Sequence, residues 1–403
     1  MRACIAMTTT LPPRIATLVL IDTGGRLLGA LPPMAVETPW WNHVEPLVQA
    51  AATHHGLGVT VLRLLGAERP HPPGGAVSYL AELARGEPRG LQRWVGALTP
   101  HPLRMRWADV GGPRADLAWA ADALRRQGLA LDGEPRQLRS WNLSSIWQLP
   151  PFWLKVVPPF FAQEGPLLVA LQAEPVPRLI AHDGGRLLLA PVAGEDRYGA
   201  PPAECEAMVD LLVDLQHRWA ERTDELLSLG LADWRAPAFG CALHALLPRI
   251  ELLAEDRETL QGFAAGLPGH FDKLAACGLP DTLVHGDLHP GNFVGDGRRL
   301  TLLDWGDAGV GHPLLDQSAM LTPQSGADEA RLRAHWAAAW RRRHPRAEVE
   351  RAARLVGPLS ALRRAIVYQR FVDAIEPAER AYHRDDVPDF LRLAAYLARS
   401  ARD

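Results

Sequence analysis

Short apolar runs rich in β-branched residues open the chain, each stopped by turn-forming residues. IATLVLID (residues 15–22), halted by TGG and followed by RLLGAL, predicts a strand, a turn and a second strand. A helix is predicted next at NHVEPLVQAAATHHGLG, closed by Gly56. VTVLRLL, VSYLAEL and PLRMRWADV return to strand-like patterns, so a compact α+β unit is expected over residues 1–135. LRRQGLALDGEPRQLR, dense in charge and broken by Gly and Pro, marks its end. Beyond it SWNLSSIWQL, PFWLKVV, RLIAHDG and GRLLLAPV read as antiparallel strands, with a helix predicted over PPFFAQEGPLLVALQAE. From residue 200 onward helical spacing dominates. A small β-rich lobe over 136–195 and a large helical lobe over 196–403 leave a cleft between them, the usual seat of a ligand.

Composition narrows the classes. A chain of 403 residues exceeds one ordinary core, which agrees with the two or three units drawn above. Its 43 basic and 46 acidic residues nearly cancel, so neither nucleic acid nor an acidic membrane face is favoured as a partner. Cys4, Cys205, Cys241 and Cys277 are too scattered for a metal site or a disulfide framework and are expected as free thiols of a reducing compartment. The start lacks a charged segment followed by a long apolar run, and no stretch reaches the roughly 18 apolar residues of a membrane span. A soluble cytoplasmic protein is expected.

The first unit, hairpin then helix then strands, resembles the Nudix fold, whose helix carries glutamates for a divalent metal. With Gly56 aligned to the glycine that closes that helix, Gln49 and Ala50 stand where an Arg-Glu pair belongs, and Thr53 and His54 where two glutamates belong. Magnesium needs oxygen ligands, so the resemblance implies a catalytically dead relative. His54 and His55, at a helix end, suit capping or surface roles.

The densest chemistry lies in LVHGDLHPGNFVGDGRRLTLLDWGDAG, residues 283–309. Its skeleton is His285-x-Asp287-x4-Asn292, then a hairpin signal turning at Gly295-Asp296-Gly297, then Asp304-Trp305-Gly306. The hairpin brings Asn292 and Asp304 together at its base, and two oxygen donors side by side are what magnesium carrying nucleotide phosphates requires. Asp287, one short loop away, is placed to accept the proton of an attacking hydroxyl.

These residues resemble the catalytic and metal-binding loops of aminoglycoside phosphotransferases and related small-molecule kinases, which share the protein-kinase-like fold. The resemblance implies that Asp287 is the catalytic base, that Asn292 and Asp304 ligate Mg2+, that His285 braces the loop, and that Asp316 holds it from behind. Gly286 stands where regulated protein kinases carry an Arg. That change, with the short run from Asp304 to Asp316, argues against a regulated protein kinase. His312 departs from the Asp usual at its position.

FWLKVV sets Lys155 inside an apolar strand, a costly place for a charge without a partner, and Glu164 in the following helix is its natural counter-ion. The resemblance implies that Lys155 binds the α- and β-phosphates of ATP, or of GTP as the alternative, while Glu164 orients it. No Gly-x-Gly-x-x-Gly precedes Lys155; instead Asn142, Ser144 and Ser145 lie between two strands, where hydroxyls and backbone N–H groups could meet phosphate oxygens. Pro191 and Val192, in the connector between lobes, are expected beside the adenine.

Acceptor contacts are expected from His289 and Asp307 near the catalytic loop, and from Tyr368, Gln369, Arg370 and Asp373 on a late helix. No dense carboxylate wall for a polycationic antibiotic is visible, so a sugar- or nucleoside-like alcohol is as eligible as an aminoglycoside. Two functions follow: a kinase of small-molecule hydroxyls, resistance and self-protection kinases included, or a nucleotide-binding regulatory module without turnover. The intact set of Lys155, Glu164, Asp287, Asn292 and Asp304 favours the kinase.

Overall fold

The computed structural model describes residues 11–400. The first unit is built from β1 (Arg14–Ile21), β2 (Leu27–Ala30), β3 (Met34–Val36), α1 (Glu45–His55), β4 (Gly58–Ala67) and β5 (Gly75–Arg85). Its sheet runs β2-β1-β5-β4, with β3 also paired to β1, and β1 lies parallel to β5. Strand β1 is nearly all apolar because both of its faces are covered: Ala16, Leu18 and Leu20 pack toward α1, while Val19 and Ile21 pack on the other side. Helix α1 ends as its pattern predicts, because Gly56 turns left-handed at φ 67° and returns its amide to the preceding turn.

PLRMRWADV does not form a strand. Met105 and Trp107 alternate inward, but the segment closes into a short 3-10 turn at Arg106–Ala108. Gly111 and Gly112 then reverse the chain, and a Cβ on Gly112 would lie 1.9 Å from the Arg106 carbonyl oxygen. An unforeseen helix, α2 (Gly112–Arg126), follows, buried at Asp116, Ala120, Ala123 and Leu124.

A second, antiparallel sheet comprises β6 (Arg136–Trp141), β7 (Ser144–Leu149), β8 (Phe152–Val156), β9 (Leu179–Asp183) and β10 (Arg186–Leu189) in the order β6-β7-β8-β10-β9. Met105, Trp107, Ala120 and Leu124 share a core with Trp147, Leu154, Val156 and Leu188 of this sheet. The described part of the unit expected over 1–135 is therefore divided between two cores, with α2 packed on the second sheet. The single helix expected over 158–174 is a 3-10 turn at Pro159–Phe161 and then α3 (Glu164–Ala170). Gly165 lets α3 press on β9, since a Cβ there would meet the His182 ring at 2.9 Å.

The remaining chain is mainly helical: β11 (Glu195–Asp196), α4 (Pro202–Trp219), α5 (Thr223–Ser228), β12 (Ala232–Asp233), α6 (Ala236–Leu246), α7 (Ala254–Ala265), α8 (Leu267–Ala275), β13 (Thr282–Val284), β14 (Phe293–Gly295), β15 (Leu300–Leu302), β16 (Gly309–Gly311), α9 (Gln317–Leu321), α10 (Gly326–Arg343), α11 (Val349–Ala374) and α12 (Asp386–Ser400). Two three-stranded sheets, β11-β14-β15 and β12-β16-β13, are set between these helices along the chain. The basic run in α10 is a solvated face: Trp336 and Trp340 point inward, while Arg342 and Arg343 pair with Asp210 and Asp214 of α4. Cys205 and Cys277 are buried free thiols and Cys241 an exposed one; Cys4 lies outside the described residues. Among the described residues no helix is long and apolar enough to cross a membrane.

Candidate active site

Strand β13 delivers the chain into the loop that begins at His285. Asp316 fixes this loop through its backbone: its carboxylate accepts the amides of His285 at 2.9 Å and Gly286 at 2.7 Å, and Gln216 donates to it at 3.1 Å. Burial pushes the Asp316 carboxyl above its ordinary value. His285, wholly buried, donates from Nε2 to the Leu303 carbonyl at 2.9 Å, and its Nδ1 accepts the Asp287 amide at 3.3 Å. Burial lowers its pKa, which suits the neutral ring those two bonds require. Gly286 has φ 92°, and a Cβ there would sit 2.2 Å from the Asp307 carbonyl oxygen, so the loop tolerates only glycine.

Asp287 stands half-exposed at the end of this scaffold. Its Oδ1 accepts from Arg364 of α11 at 2.6 Å, and His289 Nε2 lies 3.5 Å from Oδ2. Burial alone would raise its carboxyl, but His289 and Arg364 hold it well below the usual carboxylate range. Asn292 donates its side-chain amide to the Asp287 carbonyl at 2.8 Å, and the Leu303 amide donates to the Asn292 carbonyl at 2.8 Å. The second of these bonds closes the base of the β14–β15 hairpin and brings Asp304, the next residue, to the Asn292 side of the loop.

Asp304 is the one non-glycine residue with positive φ among the described residues, at 62°. Holding it there costs about 1–3 kcal/mol, the kind of local strain that concentrates at functional sites. Its Oδ1 lies 2.6 Å from Lys155 Nζ, and Lys155 Nζ also meets Glu164 Oε1 at 2.7 Å. Glu164 in turn accepts the Trp305 amide at 3.2 Å, tying α3 to the loop after β15. Burial works against the Lys155 charge, but Asp304 and Glu164 outweigh it and raise its pKa above the ordinary lysine value. Burial raises Glu164, whereas at Asp304, whose carboxylate is largely open to solvent, partial desolvation pushes the pKa up and Lys155 draws it down by more. Strand alternation explains the placement: Leu154 and Val156 enter the core and Lys155 faces the loops.

Asn292 and Asp304 offer hard oxygen donors, and the donor set suits magnesium. Since the Asn292 nitrogen is engaged with Asp287, its Oδ1 is the atom available to a cation.

A cavity of about 420 Å³ opens beside Asp287, lined by Tyr198, His289, Gln324, Arg364 and Tyr368 among others. Of the substrate contacts expected from the sequence, His289 and Tyr368 lie here. Gln369, Arg370 and Asp373 do not, because each residue of α11 turns about 100° from the last and only Arg364 and Tyr368, four apart, share this face. Gln369 donates to Asp373 at 2.8 Å, and Asp373 pairs with Arg249. Arg370 lies over the Trp234 ring, lining a separate cavity of about 150 Å³ with Asp307, whose carboxyl burial raises to about 7.

The polar side chains expected over phosphates are turned into the protein. Asn142 donates to the Glu379 carbonyl at 3.0 Å, while Ser144 and Ser145 accept the indole N–H groups of Trp141 and Trp147 at 3.0 and 3.1 Å. All three are buried, which leaves backbone groups as the hairpin's means of meeting a phosphate. Pro191 is exposed and Val192 half-buried on the connector that leaves β10. His312 caps the turn before α9 by accepting the Leu314 amide at 3.3 Å, and burial lowers its pKa to about 3.

Arg364, Tyr198 and Gln324 were not anticipated. Arg364 had a weak signal, standing one helical turn before Tyr368 in LRRAIVYQ; Tyr198 and Gln324 had none, because loops bring them in.

A family model described as the phosphotransferase enzyme family matches residues 146–354, just over half of the chain. No curated protein matches it. Among solved structures, a choline/ethanolamine kinase family protein from Mesorhizobium loti is similar at 16% identity and TM-score 0.49, covering 71% of this chain and 99% of that one. A macrolide 2'-phosphotransferase from Brachybacterium faecium is similar at 19% identity and TM-score 0.46, covering 66% and 96%. A choline kinase from Streptococcus pneumoniae is similar at 12% identity and TM-score 0.47, covering 71% and 99%.

Proposed function

The chain belongs to the phosphotransferase enzyme family, and from that premise we propose that it moves the γ-phosphate of ATP, with GTP as the alternative, to a hydroxyl of a small molecule. The observation that carries this reading is the juxtaposition of Lys155 and Asp304, 2.6 Å apart, with Asp287 one hairpin away. Lys155 would steady the α- and β-phosphates and Glu164 keeps it aimed. Asn292 and Asp304 would hold Mg2+, which when bound draws charge from the phosphate oxygens. Asp287 orients the acceptor hydroxyl; as the oxygen bonds to the γ-phosphorus and the bond to the β-phosphate breaks, Asp287 takes the proton and passes it to solvent. Its low pKa makes it an ionised hydrogen-bond acceptor, suited to a reaction that is mostly positioning and charge neutralisation.

The acceptor pocket bears on substrate class. Asp287 is the one acid among the described residues lining it, and Arg364 already balances that charge. A polycation meets a single carboxylate there, already paired with Arg364, whereas two tyrosines, a glutamine and a histidine suit an uncharged sugar- or nucleoside-like alcohol, an antibiotic of that kind included. We read residues 136–195, with α2 packed on their sheet, and 196–403 as the small and large lobes of a protein-kinase-like fold, and the first sheet with α1 as a degenerate Nudix-like unit. We place the protein in the cytoplasm.

The test is a panel of neutral, anionic and polycationic alcohols incubated with MgATP and then MgGTP, read by mass for the gain of one phosphoryl group. A neutral alcohol phosphorylated in preference to polycations supports this reading. Turnover of polycations alone would contradict the acceptor class, and no transfer to any alcohol would leave the non-catalytic nucleotide-binding module as the better account.

A further inference from the structure

The front sheet reaches the catalytic unit through a strap, Pro377–His383, which joins α11 to α12. Glu379 in this strap is buried and accepts the Leu64 amide of β4 at 2.9 Å. From the other side Asn142, at the tip of the β6–β7 hairpin, donates to the Glu379 carbonyl at 3.0 Å and accepts from His383 Nε2 at 3.2 Å. Tyr382 fills the space between Trp41 of the front unit and Trp141 of the hairpin, edge-on to both, with ring centroids 5.7 and 5.5 Å away. Arg104 grips Glu376 with two bonds of 2.9 and 3.0 Å, and Ile375 is buried in the core under the second sheet.

The front sheet also covers the open edge of the second one. Gln137 of β6 makes a two-way bond with the backbone of Val61 in β4, at 2.9 and 2.7 Å, and Ser140 donates to the Leu62 carbonyl at 3.2 Å. An edge hairpin standing alone is weakly held, so these contacts restrain the β6–β7 hairpin at its flank as well as at its tip. The helix that ends in the strap is the one that carries Arg364 and Tyr368 into the acceptor pocket, and the His383 ring lies 5.5 Å from the Tyr368 ring. One continuous set of contacts thus runs from β4 through the strap to both the hairpin and the acceptor wall.

We propose that the front unit is an interlobe clamp, in which Leu64, Glu379 and Asn142 are positioning residues that pin the nucleotide-covering hairpin to the acceptor helix α11. The clamp rests on the phosphotransfer reading, in which that hairpin lies over the phosphates. Its physical warrant is that phosphoryl transfer depends on alignment, where a displacement of about 1 Å can lower the rate roughly a hundredfold. Without a glycine-rich loop that closes on the nucleotide, alignment here comes from a hairpin already fixed to both lobes.

The full-length chain and its Asn142→Ala, Glu379→Ala and Glu379→Gln variants are compared for MgADP affinity by calorimetry and for acceptor-independent MgATP hydrolysis. Each alanine variant is expected to lose roughly tenfold in affinity or turnover, and Glu379→Gln, which keeps the bond to Leu64, to stay within about twofold of the parent. Hydrogen exchange on the unaltered chain supplies a readout that needs no variant: MgADP should raise protection at Leu64 and across residues 376–383, none of which is assigned to the nucleotide. Should an alanine variant fail to fold, that exchange result decides alone. Alanine variants with parental affinity and turnover, or exchange unchanged at both places, would overturn the clamp while leaving phosphotransfer standing. A parent chain that binds no MgADP would overturn the phosphotransfer reading and the clamp with it.

Discussion

Arg364 donates to Asp287 across 2.6 Å, joining the proposed proton acceptor to a helix residue 77 positions later in the chain. With His289, Arg364 holds the Asp287 carboxyl low against burial, and it fixes the direction of Oδ1, so the orientation of the catalytic loop depends on the register of α11.

Arg364→Ala is therefore expected to raise the Asp287 pKa and move the acid limb of the kcat/KM profile to higher pH. The sign follows from linkage: a carboxylate held below its ordinary value is ionised over a wider range, and loss of the cation narrows that range from the acid side. Turnover at neutral pH should fall roughly tenfold to a hundredfold through lost positioning. An acid limb that stays in place in the variant would rule out the electrostatic role of Arg364.

Lys155→Met should both disarm and destabilise the protein. Removing the ammonium leaves Glu164 buried without its cation, a change that typically costs about 3–5 kcal/mol. The double variant Lys155→Met, Glu164→Gln should recover much of the melting temperature and none of the activity. Equal melting temperatures for single and double variants would show that the pair is not coupled as described.

Gly286→Ala places a Cβ 2.2 Å from the Asp307 carbonyl oxygen at a φ of 92°. The loop must shift, and a loss of stability of about 1–3 kcal/mol with a larger loss of turnover is expected. Thermal melting and steady-state kinetics check the two separately; a fully active variant would mean that the loop is not held as described.

Stability should decline as pH rises through the neutral range. Burial raises Glu379 from 4.5 to about 8, against the Leu64 amide and Arg63 and with help from Glu376, and burial raises Asp307 to about 7. Between the ordinary carboxylate value and these raised ones the folded chain keeps protons that the unfolded chain has released, so higher pH favours unfolding and the loss is complete above about 8. Glu379→Gln should flatten this slope in part, leaving the contribution of Asp307. Denaturant melts from pH 5 to pH 9 measure it, and an unchanged slope in the variant would contradict the assignment to Glu379.

What could be read from the sequence was local or chemically conspicuous. His285 and Asp287 lie in the short loop that leads into the hairpin whose base joins Asn292 and Asp304, so short-range turn chemistry suffices to bring them together. Lys155 was legible because a lone lysine in an apolar strand needs a partner, and Glu164 followed closely. Arg364 depends on which face α11 turns to the loop, and that is decided by packing along its whole length; the same rotation carries Gln369 and Asp373 away from Asp287. Asn142, Ser144 and Ser145 had the composition of a phosphate loop, but the two serines are taken by neighbouring tryptophans of the same hairpin, and the partners of Asn142 lie on a strap more than 230 residues away that the hairpin itself does not reveal. PLRMRWADV alternates like a strand, yet alternation without a partner strand leaves its backbone to close into a 3-10 turn.

The most direct measurement compares the parent chain with Asp287→Asn for MgATP affinity and for phosphate transfer to an acceptor identified in the panel. The account predicts unaltered nucleotide affinity and transfer reduced by at least about a hundredfold in the variant. Transfer at the parental rate by Asp287→Asn would contradict it.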